Sequence, residues 1–207
     1  MFDSRKNIIM KNKTVFVDID TQFDFMNPNG ALYVPDAEDI TDNIKKLFVY
    51  ANEHKIKILS STDAHKADDP EFKLFPPHCV KDTPGNQKIE ASTCKDNIII
   101  ENVDQDITES MLDHEQIIIE GQTFDIFESI NTDEIAKKLD AHNYVVFGVA
   151  TDYCIKAAVL GLLKYGYNVS LVTDATKAIT KEGKEEALKE MKDAGAVFTT
   201  TEDIIAK

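Results

Sequence analysis

Arginine is almost missing from this chain: of 23 basic residues only Arg5 is an arginine, close to the N-terminus. With it goes the planar guanidinium fork that matches both oxygens of a carboxylate at once, so a substrate carrying a carboxylate would lack its usual clamp. Cysteine is scarce and odd in number, with Cys79, Cys94 and Cys154 alone. Three thiols close no disulfide framework, and the expected setting is a reducing, cytoplasmic one. No apolar stretch approaches the roughly 20 residues that cross a bilayer. Residues 1–13 are polar and mixed in charge, without the apolar run of a secretory signal. Positive charge is short as well: Lys+Arg 23 against Asp+Glu 37 leaves a net charge of −14, which repels nucleic-acid phosphates and anionic lipid. No nucleic-acid or membrane partner is expected. A small molecule remains.

What is present reads as one folded unit. With 207 residues, 43% of them hydrophobic, the chain can bury one substantial core, and the expected organisation is a flexible tail over 1–12 and a single domain over 13–207. Apolar runs at 15–19, 56–60, 117–120, 144–149, 169–172 and 196–199 read as strands. Between them lie helical patterns at 40–52, 133–142, 152–165 and 182–194. In the first helix Ile40, Ile44, Leu47, Phe48 and Ala51 form one stripe at helical spacing. Such alternation predicts an α/β fold, a doubly wound and mainly parallel sheet of about six strands with helices on both faces. Residues 63–115 interrupt the rhythm with Pro70, Pro76, Pro77 and Pro84 and one short strand at 98–100. Excursions of that length tend to be functional. Parallel sheets bind ligands beyond the carboxyl ends of their strands, and Asp20, Asp63, Gly121 and Cys154 all follow strands directly.

Three segments carry chemistry. Gly148-Val149-Ala150-Thr151-Asp152-Tyr153-Cys154 places a cysteine at a strand-to-helix turn, where free amides and the helix dipole favour a thiolate and can hold an oxyanion. Ile19-Asp20-Thr21-Gln22-Phe23-Asp24-Phe25 puts a carboxylate at a strand end, with Asp24 read as a capping residue and Asp18 as facing the other way. Asp63, His65, Glu71 and His78 offer oxygen and nitrogen donors within one loop, a set suited to Zn, Mn or Fe with positions left for water. The bland alternative is a solvated loop with a capping Asp and surface histidines. Cys79 and Cys94 read as structural, and His54, His114 and His142 as surface residues.

On these motifs, from about residue 13 to about 200, the chain resembles the isochorismatase-like cysteine hydrolases, and within them the nicotinamidase-like subgroup. The resemblance implies that Asp20 is the catalytic acid/base and Cys154 the nucleophile. It implies a cis peptide at Val149-Ala150, with the amides of Ala150 and Cys154 as oxyanion hole. It implies a divalent transition metal, zinc foremost and manganese or iron as alternatives, on Asp63, His65, Glu71 and His78. Phe25 and Phe75 either fill the core or stack on a pyridine ring, and Tyr153 either lines the pocket mouth or packs on a neighbour. The activity implied is hydrolysis of nicotinamide, or a similar small neutral amide, to acid and ammonia through a thioester, in a homo-oligomer. One part is absent. Counting back from Asp125 and Phe127, the family's lysine position falls on Gly121, with Gln122, Thr123 and Asp125 as polar residues close by. Three outcomes follow: another group replaces the lysine, the chain hydrolyses slowly, or it binds a small ligand without turning it over; a hydrolase of another small amide or ester is a separate alternative.

Overall fold

The computed structural model describes residues 14–206; the tail expected over 1–12 lies outside them. Seven strands are found among the described residues: β1 (Thr14–Ile19), β2 (Lys57–Asp63), β3 (Asn97–Ile100), β4 (Gln116–Gly121), β5 (Asn143–Val149), β6 (Asn168–Lys177) and β7 (Val197–Thr199). They form one sheet in the order β3-β4-β2-β1-β5-β6-β7, and every neighbouring pair is parallel. All six expected strands are present, and the short strand expected at 98–100 joins the same sheet as the edge strand β3, which makes seven.

The strand sequences show why both faces are covered. Val15, Val17 and Ile19 enter one buried cluster and Phe16 the other, the period-2 alternation of a strand with two apolar sides. Against Phe16 pack Ile44, Leu47 and Phe48 of helix α1 (Thr41–Glu53). Against Val17 and Ile19 lie residues of α2 (Thr132–Lys138), α3 (Lys156–Lys164) and α4 (Lys181–Asp193), among them Ile135, Ala158, Leu162 and Met191. Each fully buried aliphatic side chain contributes about 1.5–3 kcal/mol relative to exposure. A short helix α5 (Thr201–Ile205) returns Ile204 to the α1 side. Among the described residues no helix is long and apolar enough to cross a membrane.

Two expected helices are shorter than their patterns. The run 133–142 stops at Lys138, and Asp140 adopts a left-handed φ of 46° that cannot continue a helix. The run 152–165 begins with a π turn at Thr151–Ile155 before α3 starts at Lys156. Chain order places the site. From β1 the chain lays down β2, then the edge strand β3, and returns to place β4 between them, before crossing to β5, β6 and β7 on the other side of β1. The β1/β5 junction is therefore the switch point where a crevice opens at the carboxyl ends.

Candidate active site

Asp20 follows β1 and Cys154 follows β5, one on each side of that junction. Asp20 has a left-handed φ of 49°, which breaks the strand alternation, so Asp18 and Asp20 occupy different surroundings although they stand two residues apart. The Asp20 carboxylate accepts a hydrogen bond from Ser61 Oγ at 2.5 Å, its own N–H donates to that oxygen at 3.1 Å, and it shares a cavity wall with Cys154. On the other strand Gly148 is indispensable. Its φ is 117°, and a Cβ there would lie 2.1 Å from Ile19 O, so only glycine lets the end of β5 lie against the end of β1. The Val149-Ala150 peptide is cis. The π turn then closes, with Ile155 N–H donating to Ala150 O at 3.1 Å and the Thr151 and Thr176 hydroxyls 2.8 Å apart. In this turn the Ala150 amide favours the thiolate form of Cys154.

The electrostatics of the pair follow from burial. Loss of solvent, then the charge of Asp63, pushes the Asp20 carboxyl up to about 6; Ser61, Cys154 and Lys88 pull in the opposite direction. Burial, then the Asp20 charge, holds the Cys154 thiol well above its ordinary value. The residue is partly shielded from solvent and packs against the core cluster behind it. Asp20, Ser61, Asp63, Gly121, Thr123, Phe124 and Cys154 line a cavity of about 290 Å³ including its open mouth, and no lysine, arginine or histidine is among its lining residues. Gly121 thus faces the space where the sequence count puts it. Its backbone is not left-handed, and a Cβ there would meet only Thr123 O at 3.8 Å.

Asp63, the last residue of β2, joins this cavity to a second cluster. Its Oδ2 lies 2.9 Å from His65 Nε2 and 3.1 Å from His78 Nε2, and Glu71 Oε2 is 3.8 Å from His65 Nε2. His78 Nδ1 is 2.9 Å from Pro76 O, so donation to that carbonyl leaves Nε2 free as a ligand. His65 Nδ1 faces Asp69 Oδ2 at 3.1 Å, close enough to pair but out of line for a hydrogen bond. Both His65 Nδ1 and Asp63 Oδ1 are buried without a hydrogen-bond partner. Burial drives the His65 imidazole down, but the Asp63 hydrogen bond and the surrounding carboxylates outweigh it and bring it to about 9. Two imidazoles converging on one carboxylate, with an orphaned buried oxygen beside them, fit a divalent metal.

Phe25 and Phe75 stand beside His78, with ring centroids 5.7 and 6.4 Å from it. Tyr153 is half exposed and is not among the cavity-lining residues. Asp24 caps as expected, accepting from Ala31 N–H at 2.9 Å and Cys79 N–H at 2.8 Å. Cys79 and Cys94 are buried. His54 stacks on Tyr50 and His114 pairs with Asp96. Sequence reasoning missed Ser61, Asp69, Lys88 and Phe72, whose ring lies 5.3 Å from His65. For Asp69, the spacing of four residues after His65 was an available signal; for Lys88 there was none.

Residues 14–203 match the isochorismatase domain. The nicotinamidase of Saccharomyces cerevisiae is 28% identical over 82% of this chain and 90% of its own length. A probable inactive nicotinamidase of Arabidopsis thaliana is 25% identical over 90% of this chain and 92% of its own. Among solved structures, the pyrazinamidase of Pyrococcus horikoshii in complex with zinc superposes with a TM-score of 0.75 at 28% identity. It covers 91% of this chain and 99% of that one.

Proposed function

The chain belongs to the isochorismatase family, and from that premise we propose that it is a cysteine amidohydrolase that converts nicotinamide, or a similar small neutral amide, to its acid and ammonia. The observation that carries this reading is that the ends of two adjacent strands bring Asp20 and Cys154 together on the wall of one small cavity. With the thiol held neutral and the carboxyl near 6, Asp20 is ionised at neutral pH and suited to act as general base. It takes the Sγ proton as sulfur attacks the amide carbon, and the N–H groups of Ala150 and Cys154 hold the oxyanion. Asp20 then gives that proton to the departing nitrogen as the C–N bond breaks, leaving a thioester and ammonia. Water attacks the thioester, Asp20 takes one of its protons, and the thiol is restored as the acid leaves.

Asp63, His65, Glu71 and His78 would hold a divalent transition metal, zinc foremost, which when bound supplies Lewis acidity toward the ring nitrogen of the substrate and toward water. The zinc complex of the Pyrococcus pyrazinamidase supports that choice. Phe25 and Phe75 would pack on the planar ring beside His78. The test is ammonia release from nicotinamide together with elemental analysis on one purified sample. Ammonia above the level of a Cys154→Ala control and about one metal per chain are expected. A metal-loaded protein that releases none would overturn the reading.

A second reading has its own observation. The cavity presents no cation at Gly121, and its thiol is pushed up rather than down, as suits a protein that holds a small ligand without turning it over. The Arabidopsis relative described as probably inactive is consistent with it. Slow labelling of Cys154 by iodoacetamide at neutral pH would favour the binder, and rapid labelling the enzyme.

A further inference from the structure

The cavity lacks a cation, but the layer behind it has one. Lys88 lies in the loop that follows the 3-10 turn Pro84–Asn86. Its backbone is locked against the residues after β1: Phe23 N–H donates to Gln87 O at 2.8 Å and Ile89 N–H to Thr21 O at 2.9 Å. The side chain is driven inward until it is only 4% exposed. Its ammonium lies 2.8 Å from Asp18 Oδ2 and donates to Ser61 O at 3.1 Å. Asp18 is fully buried and accepts from Thr21 Oγ1 at 2.8 Å and Ser60 Oγ at 3.0 Å.

A buried ion pair is weak evidence for a stabilising role, because apolar residues of similar volume commonly do as well. Its location supplies a reason. Ser61 receives Lys88 on its carbonyl and presents its hydroxyl to the Asp20 carboxylate at 2.5 Å. One residue of β2 therefore connects the ammonium to the group that faces Cys154. We propose that Lys88 is a positioning residue of this site, holding Ser61 and through it Asp20, and supplying from behind the carboxylate the positive charge that the cavity lacks at Gly121. Asp18 partly neutralises that charge, which makes Asp18 the handle by which it can be tuned. The groups around Asp20 are then Ser61 and Asp63 from β2, Cys154 from the π turn and, through the Ser61 carbonyl, Lys88 from the loop; of these only Lys88 is cationic.

The inference rests on the amidohydrolase reading for its catalytic consequence, so its test uses two readouts on the metal-loaded full chain: nicotinamide turnover, and the pH dependence of Cys154 alkylation by iodoacetamide, mapped by mass spectrometry. Lys88→Met should move the acid limb of alkylation to higher pH, by on the order of 1 unit for one lost charge at short range, and lower kcat about tenfold with KM little changed. Asp18→Asn should move the same limb to lower pH. Shifts in opposite directions cannot come from general loosening, since both variants disturb the same pair. Limbs that stay put, or move together, would overturn the proposal.

If Lys88→Met leaves Asp18 too costly to bury and does not fold, Lys88→Met/Asp18→Leu removes both charges. That variant should fold with the limb near its original place but kcat still down about tenfold, because Ser61 has lost its anchor. Wild-type kcat in the double variant would overturn the positioning role. A protein that releases no ammonia at all would sink the amidohydrolase reading and leave the alkylation limbs to decide on Lys88.

Discussion

The two halves of the site are built on different principles. The nucleophilic half stands on two adjacent parallel strands whose register pairs Ile19 with Gly148, and backbone geometry fixes it: a left-handed Asp20 on one strand and a left-handed glycine on the other. The donor half is a loop. Its members after Asp63 are separated along the chain and are held by one isolated bridge, His65 to Val80, and by the Asp24 carboxylate on Cys79 N–H. The strand half has a single carboxylate and a single thiol, poised by desolvation. The loop half has surplus, with two imidazoles on one carboxylate oxygen and three phenylalanine rings around them. The strand half should therefore fail completely on one change, whereas the loop half should fail in steps.

The sharpest way to break the comparison is Cys154→Ala. Turnover should fall by roughly a thousandfold or more while the metal content stays that of the parent, because only the strand half is touched. Turnover close to wild type, or metal lost along with it, would show that the halves are not separable. Next in size is Asp20→Asn, read as stability. The Asp20 carboxyl is raised from 3.8 to about 6, so the folded state favours its protonated form. Its favourable contribution is complete below about pH 3.8 and lost as pH rises through 6; above that, the buried charge costs about 3 kcal/mol. In the metal-free protein Asp20→Asn should therefore gain on that order at pH 8 and nothing near pH 4, in denaturant titrations at the two values. A loss of stability at pH 8 would contradict the burial argument.

The strand half was more legible in the sequence than the loop half, for a physical reason. Strand ends are local: Val15 to Ile19 and Tyr144 to Val149 declare themselves by continuous apolar residues, and whatever follows them lies at the carboxyl edge. Asp20, Asp63, Gly121 and Cys154 were found in this way. Asp18, however, was separated from Asp20 only by the left-handed φ that the strand pattern does not reveal. The short run 98–100 was legible as a strand, but not its place at the sheet edge beyond β4, because a four-residue edge with partly exposed residues carries little pattern. Lys88 could not be found, since its partner Asp18 is distant in sequence and nothing local distinguishes a lysine that turns inward from one that does not. Asp69 was passed over because its neighbour Glu71 fitted a ligand spacing, and only coordinates show the carboxylate beside His65 Nδ1.

A milder change adds to the strand half instead of removing from it. Gly121→Lys puts a cation on the cavity wall, where the backbone and the space around the new Cβ accept a side chain. It should lower the Cys154 thiol pKa and raise kcat/KM on nicotinamide, by up to about 10²-fold, the low end for one positioned catalytic group. Thiol titration, unfolding and turnover of the one variant separate the alternatives. A folded variant with an unchanged thiol and no gain on any small amide would mean that the site has left lysine-assisted chemistry, and the ligand-binding reading would replace it.

The smallest effect tests whether the loop half fails in steps. Asp69 does two things at once: its carboxylate lies 3.1 Å from His65 Nδ1, and it caps the 3-10 turn Pro70–Lys73 by accepting from Glu71 N–H at 2.9 Å. Asp69→Asn keeps an acceptor for the cap and removes the negative charge beside the imidazole that makes it more basic. Outer carboxylates of this kind are typically worth about 10–100-fold in metal affinity. Since Asp63, His78 and Glu71 remain, the lower end of that range is expected, with unfolding stability of the metal-free protein unchanged within about 0.5 kcal/mol. Competition against a chromophoric chelator reads the affinity directly. An unchanged affinity would reduce Asp69 to a helix cap. A complete loss of metal would show that the loop half has no surplus and is as brittle as the strands that carry Asp20 and Cys154.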